Sequence, residues 1–70
     1  MVVYLTRGEF EVKTLIKQYI SEHDKMPFKK ELCRMTRYTE GVFYDIMSRM
    51  KQKGVVIEEK IGAKTYVKLN

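Results

Sequence analysis

ELCRMTRYTEGVFYDIMSRMKQKGVVIEEK, residues 31–60, reads as a helix end, a tight turn, a capped helix and the start of a strand. Phe43, Ile46, Met47 and Met50 recur at i, i+3, i+4 and i+7, the stripe of a helix with one buried face. Thr39 stands where an N-cap is wanted. Lys51 and Lys53 suit the negative end of the helix dipole, and Gly54 suits a left-handed C-cap. Upstream, Thr36-Arg37-Tyr38 is a three-residue turn after a short helix spanning about Lys29 to Met35. Leu32 and Met35 are its expected inward residues, with Cys33 as a small packing residue, and it begins without a good cap.

Working outward, Pro27 disfavours helix at Met26, so His23–Pro27 should be extended. Before it, Thr6-Arg7-Gly8-Glu9 has the Thr-x-x-Glu form of a capping box. The helix it opens should run to Glu22 or His23 and bury Val12, Leu15, Ile16, Tyr19 and Ile20. Glu9, Glu11, Lys13, Lys17 and Glu22 form its polar face. Phe10 lies roughly 160° from Val12 around the helix, off the stripe. Downstream, Val55–Lys60 and Lys64–Leu69 are strand-like and joined around Ile61-Gly62-Ala63. Period-2 alternation puts Val67, Leu69 and Val56 on one face, with Ile57 and Tyr66 on the other.

Seventy residues make a single domain, 1–70, with 44% apolar and 33% charged residues. A chain of this size buries only about 60% of its unfolded surface, so its stability margin is small. The net charge is +5 and the isoelectric point is near 9.4. Residues 1–24 carry three cations against four acids; residues 25–70 carry eleven against five. A basic segment beside a near-neutral one points to a polyanion. One cysteine, Cys33, excludes an intrachain disulfide, and with the single His23 no zinc-ligand spacing exists. The apolar runs Met1–Leu5 and Val55–Ile57 are too short to span a membrane. A cytoplasmic location is the expectation.

The order helix, extended piece, helix, tight turn, helix, hairpin resembles the winged helix-turn-helix family over about Phe10 to Leu69. Leu32-Cys33 stand where Leu-Ala is usual, Tyr38 where an apolar turn residue stands, and Thr39 at the Ser/Thr cap. Phe43, Ile46 and Met50 match the core of the third helix, and Lys53–Val56 the Lys-Gly-Leu-Ile step into the wing. Arg37 departs where glycine is common, at some cost in backbone ease, and Gly41-Val42 depart where small polar residues are. The resemblance implies an α+β fold: a winged helix-turn-helix of three helices plus a C-terminal β-hairpin wing, with a short N-terminal extended segment. It also implies binding of double-stranded B-form DNA by a sequence-specific transcriptional regulator, most simply a repressor, like the small regulators of archaea, viruses or phages. The branch specific for left-handed DNA is disfavoured, because its helix positions hold Glu40, Tyr44 and Ser48 and the hairpin lacks Pro and Trp.

With the third helix (residues 39–53) in the major groove, Thr39, Glu40, Gly41, Tyr44, Asp45 and Ser48 are the base-reading candidates. Lys29, Lys30, Arg34, Arg37, Arg49, Lys60 and Lys64 are the phosphate-binding candidates. Val2, Val3, Tyr4, Leu5 and Phe10 are candidates for a homodimer contact. Two acids on the reading helix need a reason. Glu40 suits the positive helix end, whereas Asp45 sits mid-face, where it could accept from cytosine, reject wrong sequences or orient Arg49.

Neither a catalytic constellation nor a glycine-rich phosphate loop is present, so no enzyme, metal, cofactor or small-molecule effector is expected. The first helix lacks the Lys/Arg-rich face of a membrane-surface helix. An alternative is a winged-helix protein-interaction or accessory module of a transcription or replication assembly, suggested by the acids and by Ile57 and Tyr66. RNA or non-specific chromatin binding is a third reading.

Overall fold

The computed structural model describes residues 4–70. Three helices, α1 (Arg7–His23), α2 (Lys29–Met35) and α3 (Glu40–Gln52), precede an antiparallel hairpin of β1 (Val56–Ile61) and β2 (Lys64–Leu69). The chain is therefore α+β. Val2 and Val3 of the expected dimer contact lie outside the described residues.

Each boundary has a local cause. The Thr6 hydroxyl accepts from Glu9 N–H and the Glu9 carboxylate accepts from Thr6 N–H, closing the capping box that starts α1. Asp24 ends α1 in the left-handed region (φ 54°), which a short polar side chain tolerates. As expected, α2 starts without a side-chain cap. Thr39 caps α3 by accepting from Val42 N–H at 3.4 Å. Past the end of α3, Gly54 takes φ +73°. Gly54 N–H bonds Lys51 O and Val55 N–H bonds Met50 O, both at 3.0 Å, the paired bonds of a Schellman motif.

The hairpin pairs Val56 with Leu69 and runs to Ile61 opposite Lys64. Ile61, expected in the turn, is thus a strand residue, and only Gly62-Ala63 turn the chain. Gly62 at φ +64° makes a two-residue turn compatible with the strand twist. The stretch expected to be extended from His23 to Pro27 begins differently, with His23 closing α1 and Asp24 left-handed; extended backbone is reached next to Pro27, at Phe28. Val67 N–H donates to Pro27 O at 3.0 Å and Phe28 bridges Tyr66, so this piece lies along β2.

Val12, Ile16, Leu32, Phe43, Ile46, Met47, Met50, Val56 and Val67 form one core from every element. Each is at most 3% exposed. All four residues of the α3 stripe are buried in it, while Leu15 and Ile20 pack partly against it. Two expected placements change. Met35 is 41% exposed, because α2 stops there and its side chain overhangs a gap beside α1 instead of entering the core. Glu9, expected on the polar face of α1, is fully buried.

That burial is compensated. Lys53 at the end of α3 donates to both Glu9 oxygens, with Oε2 at 2.8 Å, and to Tyr4 O at 3.0 Å. Burial alone would raise the Glu9 pKa, but the bonds from Lys53 and Thr6 outweigh it and hold the carboxyl below its ordinary value. The pair ties the start of α1 to the end of α3. Arg37 keeps a negative φ, so it carries no left-handed strain where glycine was the expected residue.

Candidate nucleic-acid interface

The α3 stripe turns Phe43, Ile46, Met47 and Met50 inward, so Gly41, Asp45, Ser48 and Gln52 form its exposed outer face. Thr39 and Glu40 are exposed at its start, and Tyr44 is half-buried on one flank. The Tyr44 hydroxyl donates to Glu40 Oε1 at 3.1 Å. Desolvation and then Glu40 push the Tyr44 pKa up, so the phenol stays protonated with its proton committed to that bond. Glu40 therefore has two local partners, the positive helix end and Tyr44.

Tyr44 is the centre of the surface. Two shallow hollows of about 270 and 280 Å³ meet at it and at Lys30. Phe28, Lys29, Ala63 and Thr65 line the first; Cys33, Arg34 and Glu40 line the second. The start of α2, the first turns of α3 and the hairpin tip thus share one face. Lys64 Nζ lies 5.2 Å from the centre of the Phe28 ring, which draws the tip toward α2.

The seven candidate cations divide. Lys30, Arg34, Arg37, Lys60 and Lys64 are exposed and make no ion pair among the described residues. Lys29 is different: its Nζ lies 2.9 Å from Glu58 Oε2 and 5.0 Å from the Tyr44 ring centre. The Glu58 contact is an ion pair rather than an aligned hydrogen bond. Lys51 reaches the other Glu58 oxygen at 3.6 Å. Glu58 points to the core side of the hairpin, opposite Val67, so Lys29 and Lys51 compensate a nearly buried acid. Arg49 pairs with Asp45 at 2.9 Å, the i, i+4 contact raised by the sequence.

Arg37 stands apart from the Tyr44 face. It lines a larger hollow of about 440 Å³ between α1 and the turn before α3, with Phe10, Leu15, Met35 and Tyr38. The Tyr38 hydroxyl donates to Glu11 Oε2 at 2.9 Å, and that bond raises its pKa. Of the dimer candidates described, Tyr4 is 82% and Phe10 62% exposed, while Leu5 is half-buried. Nothing among the described residues folds over Phe10.

Gly41, expected on the reading face, is open there: a Cβ would meet nothing within 4 Å. Sequence reasoning missed two features of this surface. Val42 is 47% exposed beside Gly41, an apolar side chain on an otherwise polar face. On the hairpin, Tyr66 is shielded by Phe28, with ring centres 6.0 Å apart, so Ile57 and Ile61 are the exposed apolar residues. Val42 and Ile61 were legible as apolar residues off their stripes; the Phe28–Tyr66 contact was not.

Among the described residues no group of three or more His, Cys, Asp or Glu is placed to hold a metal ion. No described helix is long and apolar enough to cross a membrane. The chain matches no protein-family model, no curated protein and no solved structure.

Proposed function

We propose that the chain is a winged helix-turn-helix protein that binds double-stranded B-form DNA sequence-specifically and regulates transcription, most simply by occupying a promoter as a repressor. In this reading α3 lies in the major groove, which is about 12 Å wide and admits one helix. The hairpin is the wing. The observation that carries the reading is the face around Tyr44, where the outer side of α3 stands beside exposed cations of α2 and the hairpin tip. Phosphate contacts supply affinity and fix orientation, and side chains on α3 discriminate bases. Lys30, Arg34, Lys60 and Lys64 form the phosphate set with Arg37, which joins it from the turn before α3 outside the Tyr44 face, and Lys29 serves the fold through Glu58. Thr39, Gly41, Asp45 and Ser48 face the bases. No metal, cofactor or catalytic step belongs to this reading.

Two copies related by a two-fold axis, joined through Tyr4, Leu5 and Phe10, would address half-sites about 34 Å apart. Phe10→Ser then lowers the mass measured by sedimentation at micromolar concentration; an unchanged mass removes the dimer from the proposal.

Selection of bound sites from random duplexes tests the function. An enriched motif is expected, palindromic if the dimer holds. Equal capture of all duplexes and of RNA overturns sequence-specific regulation. A second reading, an accessory protein-interaction module, is favoured by Ile57 at 39% and Ile61 at 58% exposure on the hairpin. It gains if changing Lys30, Arg34, Lys60 and Lys64 together to Ala leaves duplex affinity unchanged.

A further inference from the structure

We propose that Asp45 and Arg49 act as one neutral fork that reads a guanine–cytosine step, with Arg49 on guanine and Asp45 on a cytosine amino group. The inference rests on the reading of α3 as a groove-bound helix, and it gives Arg49, a phosphate candidate by sequence, a base-reading role.

The pair is exposed and separable from the fold. Arg49 Nη1 lies 2.9 Å from Asp45 Oδ2, with side chains 47% and 66% exposed. An exposed i, i+4 pair adds little to stability, so the fold does not call for it. Asp45 lies on the outer face of α3, and Arg49 flanks it one turn further on.

Its charge excludes the simpler role. A phosphate clamp needs uncompensated positive charge, and here a carboxylate cancels the guanidinium while itself repelling phosphate. Lys30 and Arg34 on the same surface carry no such partner among the described residues. At base edges neutrality is no handicap, because donors and acceptors both find targets. Guanine offers O6 and N7 to a guanidinium, and cytosine N4 donates to a carboxylate. The closest contact of the ion pair is Nη1 to Oδ2, and neither side chain hydrogen-bonds any other described residue, so donors of Arg49 and acceptors of Asp45 remain for base edges. Asp45 also restrains the long Arg49 side chain, so less rotamer freedom is lost on binding. Against a guanine O6 or thymine O4 at the Asp45 position, acceptor would face acceptor, and the site would be rejected.

The experiment is site selection from random duplexes with the wild type, Arg49→Lys, Arg49→Ala, Asp45→Asn and Asp45→Ala, paired with affinity at two salt concentrations. Expected for Arg49→Ala is loss of about 5- to 150-fold in preference for one guanine at an unchanged salt slope, and for Arg49→Lys a smaller loss, because an ammonium can still donate to guanine without the planar fork. Asp45→Asn should shift the neighbouring preference from cytosine toward adenine, and Asp45→Ala should bind unrelated duplex more tightly. A wild-type motif left intact by all four variants overturns the fork and leaves the proposed function standing. The same holds if Arg49→Ala lowers only the salt slope, by about 0.9, which is the mark of a phosphate contact. A wild type that selects no motif overturns both.

Discussion

Lys53→Met and Glu9→Gln remove the same ion pair from opposite sides, and the structure makes their costs unequal. The Glu9 side chain is 0% exposed, whereas the Lys53 side chain is 32% exposed. Without Lys53 the Glu9 carboxylate is sealed in the domain with only Thr6 for company. Removing one partner of a buried pair costs about 3–5 kcal/mol. In Glu9→Gln the charge is gone, Lys53 can turn its ammonium to water, and the new side-chain amide can still accept from Thr6. That loss should stay near about 1–2 kcal/mol, the scale of a hydrogen bond to a charged group. At about 0.05–0.15 kcal/mol per residue, the 70-residue chain has roughly 4–10 kcal/mol in all, so Lys53→Met should leave it barely folded.

The pH dependence separates the two further. In the wild type the Glu9 pKa is lowered, so its contribution is present above the ordinary carboxyl value and is lost as pH falls through the folded pKa. In Lys53→Met only the Thr6 bonds still oppose burial, so that pKa lies above its wild-type position and protonation relieves the variant sooner as the medium is acidified. The stability gap between wild type and Lys53→Met should therefore narrow from about pH 7 to about pH 4, near the ordinary Glu value. Urea unfolding followed by far-ultraviolet circular dichroism at both pH values measures it. Equal losses for the two variants, or a gap that widens in acid, would refute the argument that sealed burial of Glu9 governs this contact.

Gly41→Ala should raise stability by about 0.5 kcal/mol, since the helix gains Ala propensity and the new Cβ meets nothing within 4 Å. If α3 enters a groove the same change should weaken duplex binding, so a thermal melt and a binding titration should move in opposite senses. Gly8→Ala should gain less than Gly41→Ala, or lose stability, because its Cβ would stand 3.1 Å from Ile46 Cδ1 and 3.3 Å from the Tyr38 hydroxyl. The same melt compares the two. Under the proposed function, log affinity against log salt should fall with a slope of about −4 to −5 for five phosphate contacts. Changing Lys30, Arg34, Lys60 and Lys64 to Ala should flatten that slope, whereas Lys29→Ala should act mainly on the melting temperature through Glu58.

Local signals in the chain carried most of the secondary structure. The Thr6–Glu9 box, the Thr39 cap, Pro27 and Gly54 each act within a few residues, so their consequences are written in adjacent letters. The α3 stripe likewise decided which face of that helix is buried and hence which residues face solvent. Asp45 and Arg49 were legible as a pair because i, i+4 neighbours meet on any helix.

What the sequence by itself determined, then, are the elements, most of their limits and the apolar stripes of α1 and α3, because periodicity and capping are short-range. Only the tertiary structure decided which charges are available. Glu9 and Lys53 are 44 positions apart and Lys29 and Glu58 are 29 apart, and neither letter of either pair announces its partner. Folding turned one surface acid into a buried anchor and one expected phosphate clamp into a structural counter-ion. It also stopped α2 before Met35 could reach the core and laid Phe28 over Tyr66. The reason is physical: the fate of a charge depends on the dielectric and the partners around it, and both are set by chain segments that meet only when the fold closes.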